Sequence, residues 1–234
     1  MTAAVTAPLT LAVSSSTGVM SLAVGRSAAD GAAVVVPTER RHAEELSPRL
    51  QAVLAEAGVG LGDLERLAVD VGPGRFTGLR VGVATVRALA FALDLPVVGC
   101  SSLAVLAAGP AAQAEAAGAP VTAVIDARRS EVFQQCFVAG APAGPAEVGP
   151  AADLAAAARG LVVGDGADRY RSDYDAVAGL TVIEGRNPVA ATMLDLAGDD
   201  PGRPGVTIVP DYLRDPDAVP NIRTRPGAPA AATS

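Results

Sequence analysis

The sequence predicts a two-lobed α/β protein whose sheets mix antiparallel and parallel strands, and three observations predict it. Short apolar runs near the start are separated only by turn residues, which reads as an antiparallel meander. The stretch from Leu67 to Asp94, LAVDVGPGRFTGLRVGVATVRALAFALD, then reads as a strand, a glycine-rich turn and one long helix, with the next strand at Pro96 to Gly99. Such a β-α-β unit requires a parallel crossover. The strand pattern restarts at Val121 after an Ala-rich helix, so residues 9–104 are read as a first lobe and 105–219 as a second, smaller one, with 220–234 a disordered tail. A chain of 234 residues can bury a core in each lobe.

Taken in order, Leu9 to Val13 and Met20 to Val24 form a hairpin about the turn-rich Ser14-Ser15-Ser16-Thr17-Gly18, and Ala32 to Val36 supplies a third strand after Asp30-Gly31. From Arg40 to Ala57 one apolar stripe of Ala43, Leu46, Leu50, Val53, Leu54 and Ala57 predicts a helix ended by Gly58. Pro48 either kinks that helix or, with Ser47 as its cap, begins it; the kinked version is preferred. After Ser101 and Ser102 an Ala-rich helix runs to about Ala117, and Val121 to Ile125 and Val132 to Val138 are strands about Asp126-Ala127-Arg128-Arg129. The run from Ala139 to Pro150 is loop by composition. Asp153 to Ala158 is a short helix, Leu161 to Val163 a strand, and Val189 to Leu196 a further helix; no clean sequence repeat is visible.

The helix within 77–93 is anomalous. Arg80, Arg87 and Asp94 share one narrow sector, leaving about 280° of uncharged surface where a helix on a single core needs a stripe of roughly 100°. Leu79, Val83, Val86, Leu89 and Leu93 form a bulky side suited to a sheet; Val81, Ala84, Thr85, Ala88 and Ala92 form a flatter side that lets another helix come close. The helix should therefore be covered twice, and the second cover can come from this chain or from another.

Composition excludes several chemistries. All 18 basic residues are Arg, so a P-loop lysine, a Schiff base or a lysine general base is ruled out. A net charge of −7 argues against holding nucleic acid alone, with room only for a local Arg patch. Aromatics make up 3% of the residues, so the core must be built from Ala, Val and Leu. Cys100 and Cys136, flanked by apolar residues, read as buried small hydrophobes. The start of the chain lacks the features of a signal peptide and no run approaches the ~18 apolar residues of a membrane span, so a cytoplasmic protein without membrane contact is expected.

Candidate chemistry is sparse. The loop Gly72, Pro73, Gly74, Arg75, Phe76, Thr77, Gly78 sits between a strand and a helix N-terminus, where freed amides could hold an anion, yet its spacing is neither the dinucleotide fingerprint nor Walker A. Glycines that permit positive φ and close strand-helix approach are the simpler reading. His42, the lone histidine, reads as a polar helix residue; a helical His-pair metal site is unavailable, and no G-x-S-x-G elbow is present. Asp126, Arg128, Arg129 and Glu131 suggest an internal Asp-Arg pair, and Asp165 and Asp168 flank a turn. No catalytic group and no metal site are predicted.

The segment VGPGRFTGLRVGVATVRALAFALDLPVVGCSSLAVLA closely resembles the signature of the TsaB (YeaZ) family, G-P-G-S-F-T-G-[LV]-R-[IV]-G followed by an Ala-rich helix and P-x-x-G-V-S-[ST]-L. His42 with Leu46 and Pro48 resembles that family's H-x-x-x-L-x-P helix. Ile125-Asp126-Ala127-Arg128 with Glu131-Val132-Phe133 resembles its I-D-A-R-x-x-E-V-[YF], and Pro210-Asp211-Tyr212-Leu213-Arg214 its P-x-Y-L-R. The four motifs come in the family's order between about Leu9 and Arg214.

The resemblance implies an actin/sugar-kinase/Hsp70-like (ribonuclease H-like) fold and a part in making N6-threonylcarbamoyladenosine at position 37 of tRNAs that read ANN codons. In that pathway TsaC makes threonylcarbamoyl-adenylate and TsaD, with its metal, transfers the group. TsaB is implied to be a non-catalytic scaffold that heterodimerises with TsaD and works with TsaE, meeting tRNA only through the complex. The pairing is implied to use two first-lobe helices, which maps onto Leu46, Leu50, Val53, Arg80, Val81, Ala84, Thr85, Ala88, Phe91 and Ala92. A homodimer through the same helices is the alternative for the isolated chain, and a stand-alone ATPase or peptidase is the alternative activity. No cofactor of the chain's own is expected; ATP or ADP at the shared interface is left open. Two departures weigh against an enzyme: Ser14-Ser15 stands where the family has Asp-Thr, and Arg75 replaces the loop's Ser.

Overall fold

The computed structural model describes residues 7–38, 42–109 and 118–214. Within them lie β1 (Thr10–Ser14), β2 (Val19–Gly25), β3 (Ala32–Pro37), α1 (His42–Ala57), β4 (Arg66–Gly72), α2 (Phe76–Leu93), β5 (Pro96–Ser101) and α3 (Ser102–Ala107). There follow β6 (Val121–Arg128), β7 (Glu131–Val138), β8 (Ala141–Pro142), β9 (Glu147–Pro150), α4 (Ala151–Ala155), β10 (Leu161–Val163), α5 (Asp165–Arg169), α6 (Arg171–Asp175), β11 (Thr181–Ile183), α7 (Ala190–Ala197) and β12 (Arg203–Pro204). The expected helix start at Arg40, its neighbour's expected extension to Ala117 and the expected tail from Asn221 lie outside the described residues.

Two mixed sheets flanked by helices result, and they share one topology. The first runs β12-β5-β4-β1-β2-β3, antiparallel across β1, β2 and β3 and parallel across β1, β4 and β5. The second runs β11-β10-β6-β7, with β8 and β9 both on β7, and repeats the pattern: β6, β7 and β9 antiparallel, β6, β10 and β11 parallel. This is the duplicated arrangement of the actin-like fold. No sequence repeat betrays it, because strand order depends on pairing across the chain and leaves the residue pattern free.

Side-chain size sorts the layers. On β1, β2 and β4 the bulky Leu11, Val13, Met20, Leu22, Val24, Leu67 and Val69 face α1 and α2, while Ala12, Ala23 and Ala68 face the opposite side and admit α7 closely. In the second lobe, α3 covers one sheet face through Leu103 and Leu106, and α4, α5 and α6 cover the other with Tyr174 and several alanines. α7 and β12, expected in the second lobe, pack against the first sheet instead. Arg66 ties them there: it is 2% exposed, its Nε donates to Thr10 Oγ1, and its Nη1 donates to the carbonyls of Gly198 at 3.0 Å and Asp200 at 2.7 Å beyond the end of α7.

Other expectations are adjusted. α1 continues through Pro48, which sits on its exposed side, where a missing N–H costs least. The Ala139 to Pro150 stretch is not all loop: β9 pairs with β7 from Glu147↔Gln134 to Pro150↔Glu131. The short helix expected at Asp153 to Ala158 starts two residues earlier, at Ala151. α2 also has the length and apolarity of a membrane span, contrary to the expectation that no run approaches one. It lies along β4 with Leu79, Val83 and Val86 buried, each contributing roughly 1.5–3 kcal/mol, and it carries Arg80 and Arg87. Leu89 and Leu93, assigned to that sheet-facing side, are only half-buried; Gly78, Gly82 and Ala90 are buried in their stead.

Candidate docking face and inter-lobe cleft

Asp70, two positions from the end of β4, organises the carboxyl end of the first sheet. It is fully buried, and its Oδ2 accepts hydrogen bonds from Ser14 Oγ at 2.8 Å, Ser16 N at 3.2 Å and Ser102 Oγ at 3.4 Å, while Oδ1 accepts from Ser15 N at 3.1 Å. Successive amides converging in this way make an anion nest, and its anion is the protein's own carboxylate. Burial pushes that carboxyl above its ordinary value against the pull of the donors. The sequence held a signal for this residue, a lone acid inside the buried run LAVDV, which was passed over.

The glycine loop packs on the same turn. A Cβ at Gly74 would stand 2.4 Å from the Ser16 carbonyl oxygen, at Gly78 2.0 Å from that of Ser15, and at Gly82 2.3 Å from Ser15 Oγ. Gly72, with φ of +116°, passes beneath the Asp211 carbonyl. Arg75 N donates to the Ser16 carbonyl at 2.6 Å and Ser15 Oγ donates to the Gly78 carbonyl at 3.0 Å. Gly74, Gly78 and Gly82 let α2 settle onto residues 14–17, the simpler of the two expectations for this loop, while Phe76 and Thr77 of the anion expectation are exposed and Gly72 and Gly78 are buried. His42 joins the same turn from α1, with Nε2 2.9 Å from Thr38 Oγ1 and 3.2 Å from the Thr17 carbonyl oxygen; burial lowers its proton affinity. Cys100 is buried and its thiol is pushed up to about 12; Cys136 is half-buried, and both are free.

Among the described residues nothing covers the middle of the outer face of α2. Thr77, Arg80, Ala84, Ala88, Phe91 and Ala92 are exposed and Val81 and Thr85 half-buried, a continuous line at helical spacing in which Phe91 is 92% exposed. At one end Arg80 lies 3.7 Å over the Phe76 ring and donates from Nε to the Tyr212 hydroxyl at 3.0 Å. At the other, Phe91 borders a groove of about 780 Å³ shared with Arg87, Leu95, Arg203 and Val206. The α1 part of the expected face is corrected: Leu46, Leu50 and Val53 are 3%, 8% and 0% exposed, because the stripe of α1 lies on β2 and β3 in the chain's own core. What α1 presents outward is Ala43, Glu44, Ser47, Pro48, Gln51, Ala52, Ala55 and Glu56. Helical periodicity gave the stripe; which body covers it depends on tertiary packing.

The lobes meet where Arg75, from the glycine loop, reaches Asp165 at 3.8 Å. Asp165 Oδ1 accepts the amide of Asp126 at 3.0 Å, and burial raises the Asp165 carboxyl above its ordinary value. Asp126, 3% exposed, is flanked by Arg128 at 3.5 Å and Arg169 at 3.8 Å and accepts from the Tyr170 hydroxyl at 3.4 Å, so the expected Asp-Arg pair is present with a second arginine that the sequence reading did not single out. Arg214 joins them by donating to the Ala127 carbonyl at 2.9 Å and pairing with Glu131. Among the described residues no group of three His, Cys, Asp or Glu side chains is placed to hold a metal ion.

Comparison with known proteins places these features in a family. Residues 22–175 match the family described as TsaD, tRNA N6-adenosine threonylcarbamoyltransferase. An uncharacterised protein of Mycobacterium tuberculosis is 36% identical over 184 residues, covering 77% of this chain and 79% of its own length. The tRNA threonylcarbamoyladenosine biosynthesis protein TsaB of Haemophilus influenzae is 40% identical over 95 residues, 41% of this chain and 39% of its own. YeaZ from Pseudomonas aeruginosa superposes with a TM-score of 0.74 at 32% identity, over 88% of this chain and 100% of the other.

Proposed function

The chain belongs to the TsaB/YeaZ family and has a role in tRNA threonylcarbamoyladenosine biosynthesis, and from that premise we propose that it acts there as a non-catalytic subunit that docks on TsaD through the outer face of α2. The observation that carries the reading is that face: small residues at Ala84, Ala88 and Ala92, Phe91 at 92% exposure, and no cover from the described residues. Small side chains allow the axes of two helices to approach closely, and a large aromatic at one end supplies burial. An apolar helix face of this length in water marks an interaction site. Occupation of the Ser15 and Ser16 amides by Asp70, and the Arg75–Asp165 pair at the lobe junction, support leaving the chemistry to TsaD, with no cofactor held by this chain alone. TsaE joins the pair in this reading, and tRNA is modified only by the assembly.

Copurification with TsaD tests it. Ala88→Arg and Ala84→Glu, both at exposed positions, should abolish the complex and the stimulation of threonylcarbamoyl transfer while leaving the melting temperature unchanged. A complex that forms equally well with either variant overturns the α2 face. Light scattering with and without TsaD separates heterodimerisation from self-association of the isolated chain on the same helix.

A further inference from the structure

On a chain of net charge −7, five guanidinium groups gather at one place, the mouth of the cleft between the lobes: Arg75, Arg128, Arg169 and Arg214, with Arg129 exposed on the adjoining turn. Three carboxylates, Asp126, Asp165 and Glu131, pair with Arg75, Arg128, Arg169 and Arg214. The pairs on Asp126 and Asp165, at 3.5 to 3.8 Å, are longer than the 2.7–2.9 Å of saturated charge-assisted hydrogen bonds, and Arg75 Nε is buried without an acceptor. Arg128 and Arg169 keep more than half of their side chains in solvent, at 53% and 54%. The turn that presents Arg128 and Arg129 holds three successive non-glycine residues at φ of +68°, +55° and +64°, a costly conformation that needs a return elsewhere. Beside them the half-buried Tyr170 ring lies under the Arg169 guanidinium at 5.7 Å and packs on the core around Tyr174, which helps hold Arg169 at the cleft mouth.

We propose that this cleft mouth is an RNA-contacting surface, in which Arg128 and Arg169, steadied by Asp126, take backbone phosphates. Guanidinium groups suit this use because their planar forks meet phosphate oxygens two at a time. The inference rests on the role in tRNA modification given above. The surface lies away from Ala84 and Ala88, so RNA contact and docking on TsaD use different residues.

The test is anisotropy titration of a labelled tRNA anticodon arm with the TsaD complex and with the chain alone, at several salt concentrations. Arg128→Glu combined with Arg169→Glu should weaken binding at least tenfold near 0.1 M salt and reduce the slope of log K against log salt by about two, roughly one per phosphate contact. Its copurification with TsaD should match that of the parent, while its melting temperature should fall because the buried Asp126 loses both counter-charges. Unchanged RNA affinity and slope in the double variant overturn the proposal. So does displacement of the RNA by free ATP at micromolar concentration, which would make the cleft a mononucleotide pocket, and so does equal competition by poly-glutamate, which would make it a seat for an acidic protein. If the parent chain fails to pair with TsaD, the docking reading falls and the titration on the chain alone still decides this one.

Discussion

Arg75 and Asp165 face one another at 3.8 Å across the junction of the two lobes, and the same guanidinium covers Gly18, where a Cβ would stand 2.6 Å from Nη1. One side chain therefore reports on both sides of the cleft. Arg75→Ala should lower stability by no more than about 1 kcal/mol, the range of a partly exposed pair. Gly18→Ala should destabilise the parent by displacing the guanidinium and be close to neutral when combined with Arg75→Ala. Urea denaturation of the four proteins in this cycle yields the coupling directly; additive effects would contradict the placement of Arg75.

Asp70→Ala should cost several kcal/mol. It strands Ser15 N, Ser16 N and Ser14 Oγ inside the protein, and a buried donor without an acceptor costs about 1–3 kcal/mol. Chemical denaturation gives the magnitude, and faster amide exchange at Ser15 and Ser16 locates it.

His42 sets an acid-side dependence. Burial holds its proton affinity below the ordinary 6.5, so the unfolded chain takes up a proton that the fold refuses. The stability this confers is complete above 6.5 and is lost as pH falls through 6.5 toward the lower folded value. Asp70, whose carboxyl is raised, titrates in the opposite sense, so the informative quantity is the difference between His42→Asn and the parent. Between pH 8 and pH 5 the melting temperature of the variant should fall less than that of the parent.

Phe91→Ala should leave stability within about 0.5 kcal/mol, as befits a side chain 92% in solvent, while weakening association with TsaD by tenfold or more if it anchors the interface. Calorimetric titration measures the second effect and thermal melting the first.

Much of this architecture was legible in the residues. The runs at Leu11, Leu22, Leu67 and Val121 gave strands because apolar β-branched and aliphatic residues bounded by turns have few alternatives, and the all-round apolarity of α2 gave a helix with one face to spare. β9 was not legible, since Gly and Pro dominate its neighbourhood and its pairing comes from β7. The short α5, α6 and β11 carry too few residues to show a period. Of the α2 residues singled out, Arg80, Ala84, Ala88, Phe91 and Ala92 are exposed and Val81 and Thr85 half-buried, whereas Leu46, Leu50 and Val53 lie in the core, because an amphipathic stripe looks the same whichever sheet or neighbour covers it. Arg169 and Tyr170 became relevant only through the hairpin that brings Asp126 to them.

The position of α7 has a bearing on how the polypeptide is made. Its Met193 and Leu194 roof the alanine-lined side of the first sheet, yet they are synthesised about a hundred residues after that sheet's last parallel strand, β5. While the ribosome is still translating the later half, Ala12, Ala23 and Ala68 have no lid, so the amino-terminal half cannot reach its final packing during its own synthesis. Maturation of one half waits on the other, and a truncation before Ala190 should yield a sticky, protease-sensitive product in place of a smaller working piece.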